Sequence, residues 1–155
     1  MTYYPSYIRE SLILAALGLA YLSLFSAPPV AAEIIPIETR VELLIDEEGA
    51  KWCDGDFSLS SETIRVIELD EVGESLTVLD EAGFQCSTMA SVYCGSGGCK
   101  VHFLLKADSL SIQVQGWEYS DGKILLGLHG STCGQVGAEP CYKTVTVKEG
   151  RFNVE

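Results

Sequence analysis

From Ile64 to the C-terminus, apolar residues come in short runs separated by turn-forming residues, the pattern of strands rather than helices. Residues 64–69 are dense in β-branched side chains, with Ile64 and Val66 alternating against Arg65, and predict a strand. Residues 76–79, 101–105, 110–114, 124–128 and 144–147 continue the series. A last hairpin is expected to turn at Glu149-Gly150 before residues 152–154. Between the first two strands, Asp70-Glu71-Val72-Gly73-Glu74 supplies a turn, with glycine for the unusual dihedrals.

The segment before the strands has a different period. Residues 33–36 are extended by their Ile-Ile-Pro content. Thr39 followed three residues later by Glu42 makes a capping box, so a short helix should start there. Val41, Leu44 and Ile45 would face the core, and Gly49 is placed to end the helix as its C′ residue. The polar stretch 53–62 reads as a loop through which Cys53 would pin the helix. The links around Asp108, 120–122 and 148–150 are too short for crossover helices. The expected fold is therefore α+β: a mainly antiparallel β-sheet with one short N-terminal helix, stapled by disulfides.

Composition adds a compartment. Residues 11–27 form a nearly uncharged run after Arg9, followed by Pro28, Pro29, Val30, Ala31 and Ala32. This reads as an export signal, short for a membrane span, with small residues where a signal peptidase cuts. Residues 1–32 are thus expected to be a signal peptide and 33–155 a single exported domain, periplasmic or secreted. Membrane contact is expected only through the signal segment where it stays uncleaved. The chain of 155 residues is 47% hydrophobic, enough for one core.

All six cysteines follow the signal, and an even count in an exported chain points to disulfides. Sequence alone does not choose among the pairings. Short loops close at low entropy cost, which favours Cys94 with Cys99, Cys133 with Cys141, and Cys53 with Cys86.

Charge is uneven. Residues 33–81 hold 15 acidic and 3 basic side chains, whereas residues 82–155 hold 6 of each. Nucleic acid is not expected as a partner, because phosphate neutralisation needs clustered Lys and Arg. The acidic half reads first as a solvated face, with attraction to a basic protein or to cations as the functional alternative, and no partner is identified.

The chemistry-bearing residues are few. Glu68 and Asp70 open a stretch with the spacing of a calcium loop, but Val72 and Leu76 stand where further oxygen ligands belong, so a turn is the better reading. Cys94, Cys99, His102, His129, Cys133 and Cys141 are zinc-ligand types, yet their spacing matches no finger or ribbon, and His102 inside a strand reads as a satisfied sheet residue. Ser131 and Cys133 lie near His129 without a nucleophile-elbow pattern. Cys94-Gly95-Ser96-Gly97-Gly98-Cys99 lacks the Lys-Ser/Thr ending of a phosphate loop. No metal, cofactor or catalytic residue is assigned. The binding candidates are Gly95, Ser96, Gly97 and Gly98, whose amides a closed loop would leave accessible, together with Trp117 and His129.

Five segments together resemble a loosely defined group of small exported bacterial proteins of unassigned function. They are Glu68 to Gly73, Gly83-Phe84-Gln85-Cys86, Tyr93 to Cys99, Trp117, and His129-Gly130 with Cys133 and Cys141. The resemblance implies export and disulfides over about residues 40–155, and no activity. A non-enzymatic exported binding or structural module is the expectation. The alternatives are an inhibitor of a basic cell-wall-active enzyme such as lysozyme, which resembles in outline inhibitors that insert a disulfide-closed loop, and a small hydrolase using His129.

Overall fold

The computed structural model describes residues 34–69, 73–136 and 139–155. The expected signal segment, and Asp70, Glu71 and Val72 of the expected turn, lie outside the described residues.

The chain opens with α1 (Ile37–Leu44), starting two residues before the expected cap. Pro36 is its N-cap with φ −53°, so the helix begins behind the proline and Thr39 falls inside the first turn. Gly49 does not end the helix. The coil widens to a π turn over Ile45–Gly49 and then tightens to a 3-10 turn over Ala50–Trp52. Gly49 is required for a packing reason instead: a Cβ there would sit 2.5 Å from Phe57 Cζ. The apolar stripe does face inward, with Val41 buried and Leu44 and Ile45 packed beside it.

Eleven strands follow among the described residues. They are β1 (Phe57–Leu59), β2 (Ile64–Leu69), β3 (Glu74–Asp80), β4 (Phe84–Cys86), β5 (Cys94–Gly95), β6 (Gly98–Leu104), β7 (Ser109–Val114), β8 (Gly116–Ser120), β9 (Lys123–His129), β10 (Pro140–Lys148) and β11 (Arg151–Val154). Every recorded pairing is antiparallel. One sheet runs β2-β3-β6 with β5 and β7 also on β6, a second runs β11-β10-β9-β8, and β1 with β4 forms a ribbon. The stretch expected to be loop thus holds β1, and β8 was not foreseen.

The two sheets pack face to face. Leu76, Val78, Val101, Phe103 and Val114 of the first meet Ile124, Leu126, Leu128 and Val145 of the second. The other face of the first sheet carries Leu79 and Leu104, which Val41 and Phe84 cover in a second, smaller cluster. Fully burying an apolar side chain of this size contributes about 1.5–3 kcal/mol. The order helix, sheet, sheet follows because a central sheet with two apolar faces must be covered on both.

Strand β2 exposes Ile64, Arg65, Val66 and Glu68, with Ile64 at 41% and Val66 at 61%, while Ile67 and Leu69 pack against the main core. Arg65 stacks over Trp117, 4.8 Å from the ring centroid.

Three disulfides close the molecule: Cys53–Cys86, Cys94–Cys99 and Cys133–Cys141. Cys53 ties the end of the helical segment to β4. Among the described residues no helix is long and apolar enough to cross a membrane.

Candidate functional site

The glycine-rich hexapeptide is the hairpin joining β5 to β6. Cys94 faces Cys99 and Gly95 faces Gly98, so the disulfide spans a cross-strand pair and Ser96-Gly97 make the turn. Two side chains from the neighbouring strand segment strap it down. Gln113 Nε2 donates to Gly98 O and Gln115 Nε2 donates to Ser96 O, each at 3.2 Å. Both bonds engage loop carbonyls, and Gly95 pairs with Gly98 across the hairpin.

The second wall comes from the end of β9. His129 closes that strand, and Gly130–Cys133 turn away as a 3-10 helix capped by the His129 side chain. Ser131 N–H donates to His129 Nδ1 at 3.3 Å, and Ser131 Oγ lies 2.7 Å from the same nitrogen. A ring nitrogen that accepts from a backbone N–H carries no proton, so the neutral ring holds its proton on Nε2 and offers it as a donor. Cys133–Cys141 fastens the turn to β10, whose Pro140 pairs with His129.

Between these walls lies a cleft of ≈ 380 Å³ lined by Gly95, Ser96, Gly97, Gln113, His129, Ser131 and Thr132. Its lining has hydroxyls, an imidazole, an amide and bare backbone, but no charged side chain. Such a site favours an uncharged, acceptor-rich group such as a peptide carbonyl.

The cleft unites part of the expected set. Gly95, Ser96, Gly97 and His129 converge, although 32 residues separate Gly97 from His129 in the chain. Gly98 lies behind the loop, against Val114. Trp117 is elsewhere: its Nε1 donates to Asp80 Oδ2 at 2.8 Å and its ring meets Phe103 edge-on at 5.4 Å. It borders a separate cleft of ≈ 270 Å³ with Tyr142 and Leu125. A third cleft of ≈ 340 Å³ opens at the hairpin tips around Gly122 and Gly150. Gln113 and Thr132 were not foreseen, and only strand register could have shown Gln113 beside the loop.

All six sulfurs are in disulfides, so no thiolate is left for the zinc set. His102 is a satisfied sheet residue, as its strand position suggested, but its partners are unusual. Nε2 lies 2.9 Å from Glu81 Oε1 and Nδ1 lies 2.8 Å from Ser111 Oγ. Lys100 Nζ stands 3.9 Å from the same carboxylate and 2.7 Å from Glu48. Nothing in the sequence near His102 announces Glu81 or Ser111. No protein-family model, curated protein or solved structure matches the chain.

Proposed function

We propose that the chain is an exported binding module that holds a partner's backbone carbonyl groups in the cleft between the Cys94–Cys99 hairpin and the His129 turn. Three disulfides in a domain of this size fit an oxidising, non-cytoplasmic compartment. The observation that carries the reading is the convergence of two separately disulfide-fastened loops on one uncharged, polar cleft. Fastening both walls lowers the ordering cost of association, so a small cleft can bind usefully. The acidic N-terminal half would attract a basic partner to the molecule.

The test is capture from the exported fraction with the chain as bait. A partner retained by wild type and lost with Gly95→Trp supports the reading, because Gly95 has open space around its Cα and tolerates the ring without unfolding. Recovery of no partner across several conditions counts heavily against it.

One observation favours a second reading, inhibition of a basic cell-wall-active enzyme. The hexapeptide has no histidine or charge of its own, but the fold sets His129 across the cleft from it, giving the projection a polar group to offer an active site. Unchanged lysozyme turnover with the protein in excess would remove this reading.

A further inference from the structure

The cluster around His102 is separate from the cleft and points to chemistry rather than recognition. His102 is 1% exposed and Glu81 4% exposed, yet Ser111, bonded to the same ring, is on the surface. Strand register explains the contact. Leu105 N donates to Asp108 O at 2.9 Å, which makes that pair hydrogen-bonded; counting inward along β6 and β7, His102 and Ser111 form a non-bonded pair. Side chains in such pairs approach most closely. The same alternation turns the Ser111 N–H and C=O outward, and among the described residues no strand pairs with the outer edge of β7.

In the neutral imidazole, a Glu81 carboxylate accepting from Nε2–H leaves Nδ1 bare to accept from the Ser111 hydroxyl. An exposed hydroxyl donating to an imidazole whose far nitrogen is held by a buried carboxylate is the arrangement that activates a nucleophile. Its geometry is built by three elements: Glu81 from the 3-10 turn after β3, His102 from β6 and Ser111 from β7. Lys100 Nζ stands 3.9 Å from the same Glu81 oxygen.

We propose that Ser111 is a nucleophilic serine activated through His102 and positioned by Glu81, and that it takes an acyl group from small carboxylic esters. Ser111 Oγ attacks the ester carbonyl carbon as its proton passes to His102 Nδ1. The C–O bond to the alcohol breaks, and the alcohol leaves with that proton. Water then attacks the acyl-serine with His102 as base, releasing the acid and restoring the hydroxyl. The outward Ser111 N–H is the backbone donor for the tetrahedral oxyanion. Ser111 lines none of the three clefts, so the ester must be small and its side groups loosely read.

The test treats the folded, disulfide-bonded protein with a fluorophosphonate probe and with p-nitrophenyl acetate. One adduct at Ser111 is expected, absent in Ser111→Ala and formed about tenfold or more slowly in Glu81→Gln. A second arm does not depend on Glu81→Gln folding. Cysteine placed by Ser111→Cys should be alkylated by iodoacetamide about tenfold faster than cysteine placed by Ser109→Cys on the same strand face, because only the former meets the imidazole. Absence of an adduct at Ser111, an adduct at Ser131 instead, or equal alkylation of the two cysteines overturns the proposal.

Discussion

Glu81 and His102 share a hydrogen bond of 2.9 Å with both side chains withdrawn from water, although they stand 21 positions apart in sequence. Desolvating a carboxylate is costly unless it is engaged, and here His102 and Lys100 both approach Oε1, at 2.9 and 3.9 Å. Removing one member strands the other. Glu81→Ala leaves the His102 Nε2–H buried without its acceptor and should therefore cost about 1–3 kcal/mol in urea unfolding. Replacing both residues with apolar ones of similar volume should cost less than the sum of the single losses. Additive losses would show that the pair is not coupled.

The disulfides should differ in worth. Cys53–Cys86 closes a separation of 33 residues and Cys94–Cys99 one of 5. Chain entropy then assigns about 4 kcal/mol to the first and about 2 kcal/mol to the second. Paired Cys→Ser variants, compared by denaturant midpoint, should keep that order. The reverse order would mean that the hairpin bridge holds more than its own loop.

Thr146 presents a buried hydroxyl with no hydrogen-bond partner among the described residues. Thr146→Val keeps the shape, suits the strand and removes the unmet group. It should stabilise the protein by about 1 kcal/mol, read as a higher urea midpoint. A lower midpoint would show that the hydroxyl is engaged in solution.

Tyr93 links stability to alkaline pH. Burial first, and the Glu81 carboxylate second, raise its phenol above the ordinary value of 10.0, and its hydroxyl donates to Gly49 O at 2.9 Å. The fold prefers the neutral phenol. Its contribution is complete below pH 10.0, where the unfolded chain is also protonated, and is lost as pH rises through the folded-state value. Tyr93→Phe should cost about 1 kcal/mol at neutral pH and flatten this alkaline decline, measured by urea midpoints across the range. An unchanged decline would assign it to other groups.

Much of this molecule was legible before its structure. Alternating and β-branched runs marked β2, β3, β6, β7, β9, β10 and β11, because a strand with one or two buried faces writes its period into the residues. The short strands β1, β4 and β5 carry too few side chains to show a period. Strand β8 alternates Trp117 and Tyr119 with Gly116, Glu118 and Ser120, a strand period too short to stand out beside the longer runs. The expected start falls late because the Thr39-x-x-Glu42 signal stands three residues after Pro36, which begins the helix by itself. In the cleft, His129 and the hexapeptide were visible as unusual residues, but their meeting depends on how β9 runs beside β7. Glu81, His102 and Ser111 were invisible as a group, since each is ordinary in its own neighbourhood and only register assembles them.

The hexapeptide's glycines should separate into two kinds. Gly98 has φ +95°, and a Cβ on it would lie 1.8 Å from Val114 O, a backbone atom held in the ladder between β6 and β7. Neither the dihedral nor the space admits a side chain, so Gly98→Ala should cost at least about 2 kcal/mol and loosen the hairpin. Gly95 meets nothing within 4 Å of an added Cβ, and Gly95→Ala should leave stability within about 0.5 kcal/mol. Because Gly95 lines the cleft and Gly98 does not, ligand capture should respond in the opposite sense. A bulky residue at position 95 should abolish capture in a protein of wild-type stability. Equal destabilisation by the two alanines would mean that the loop is held as one rigid turn with no face free for a partner.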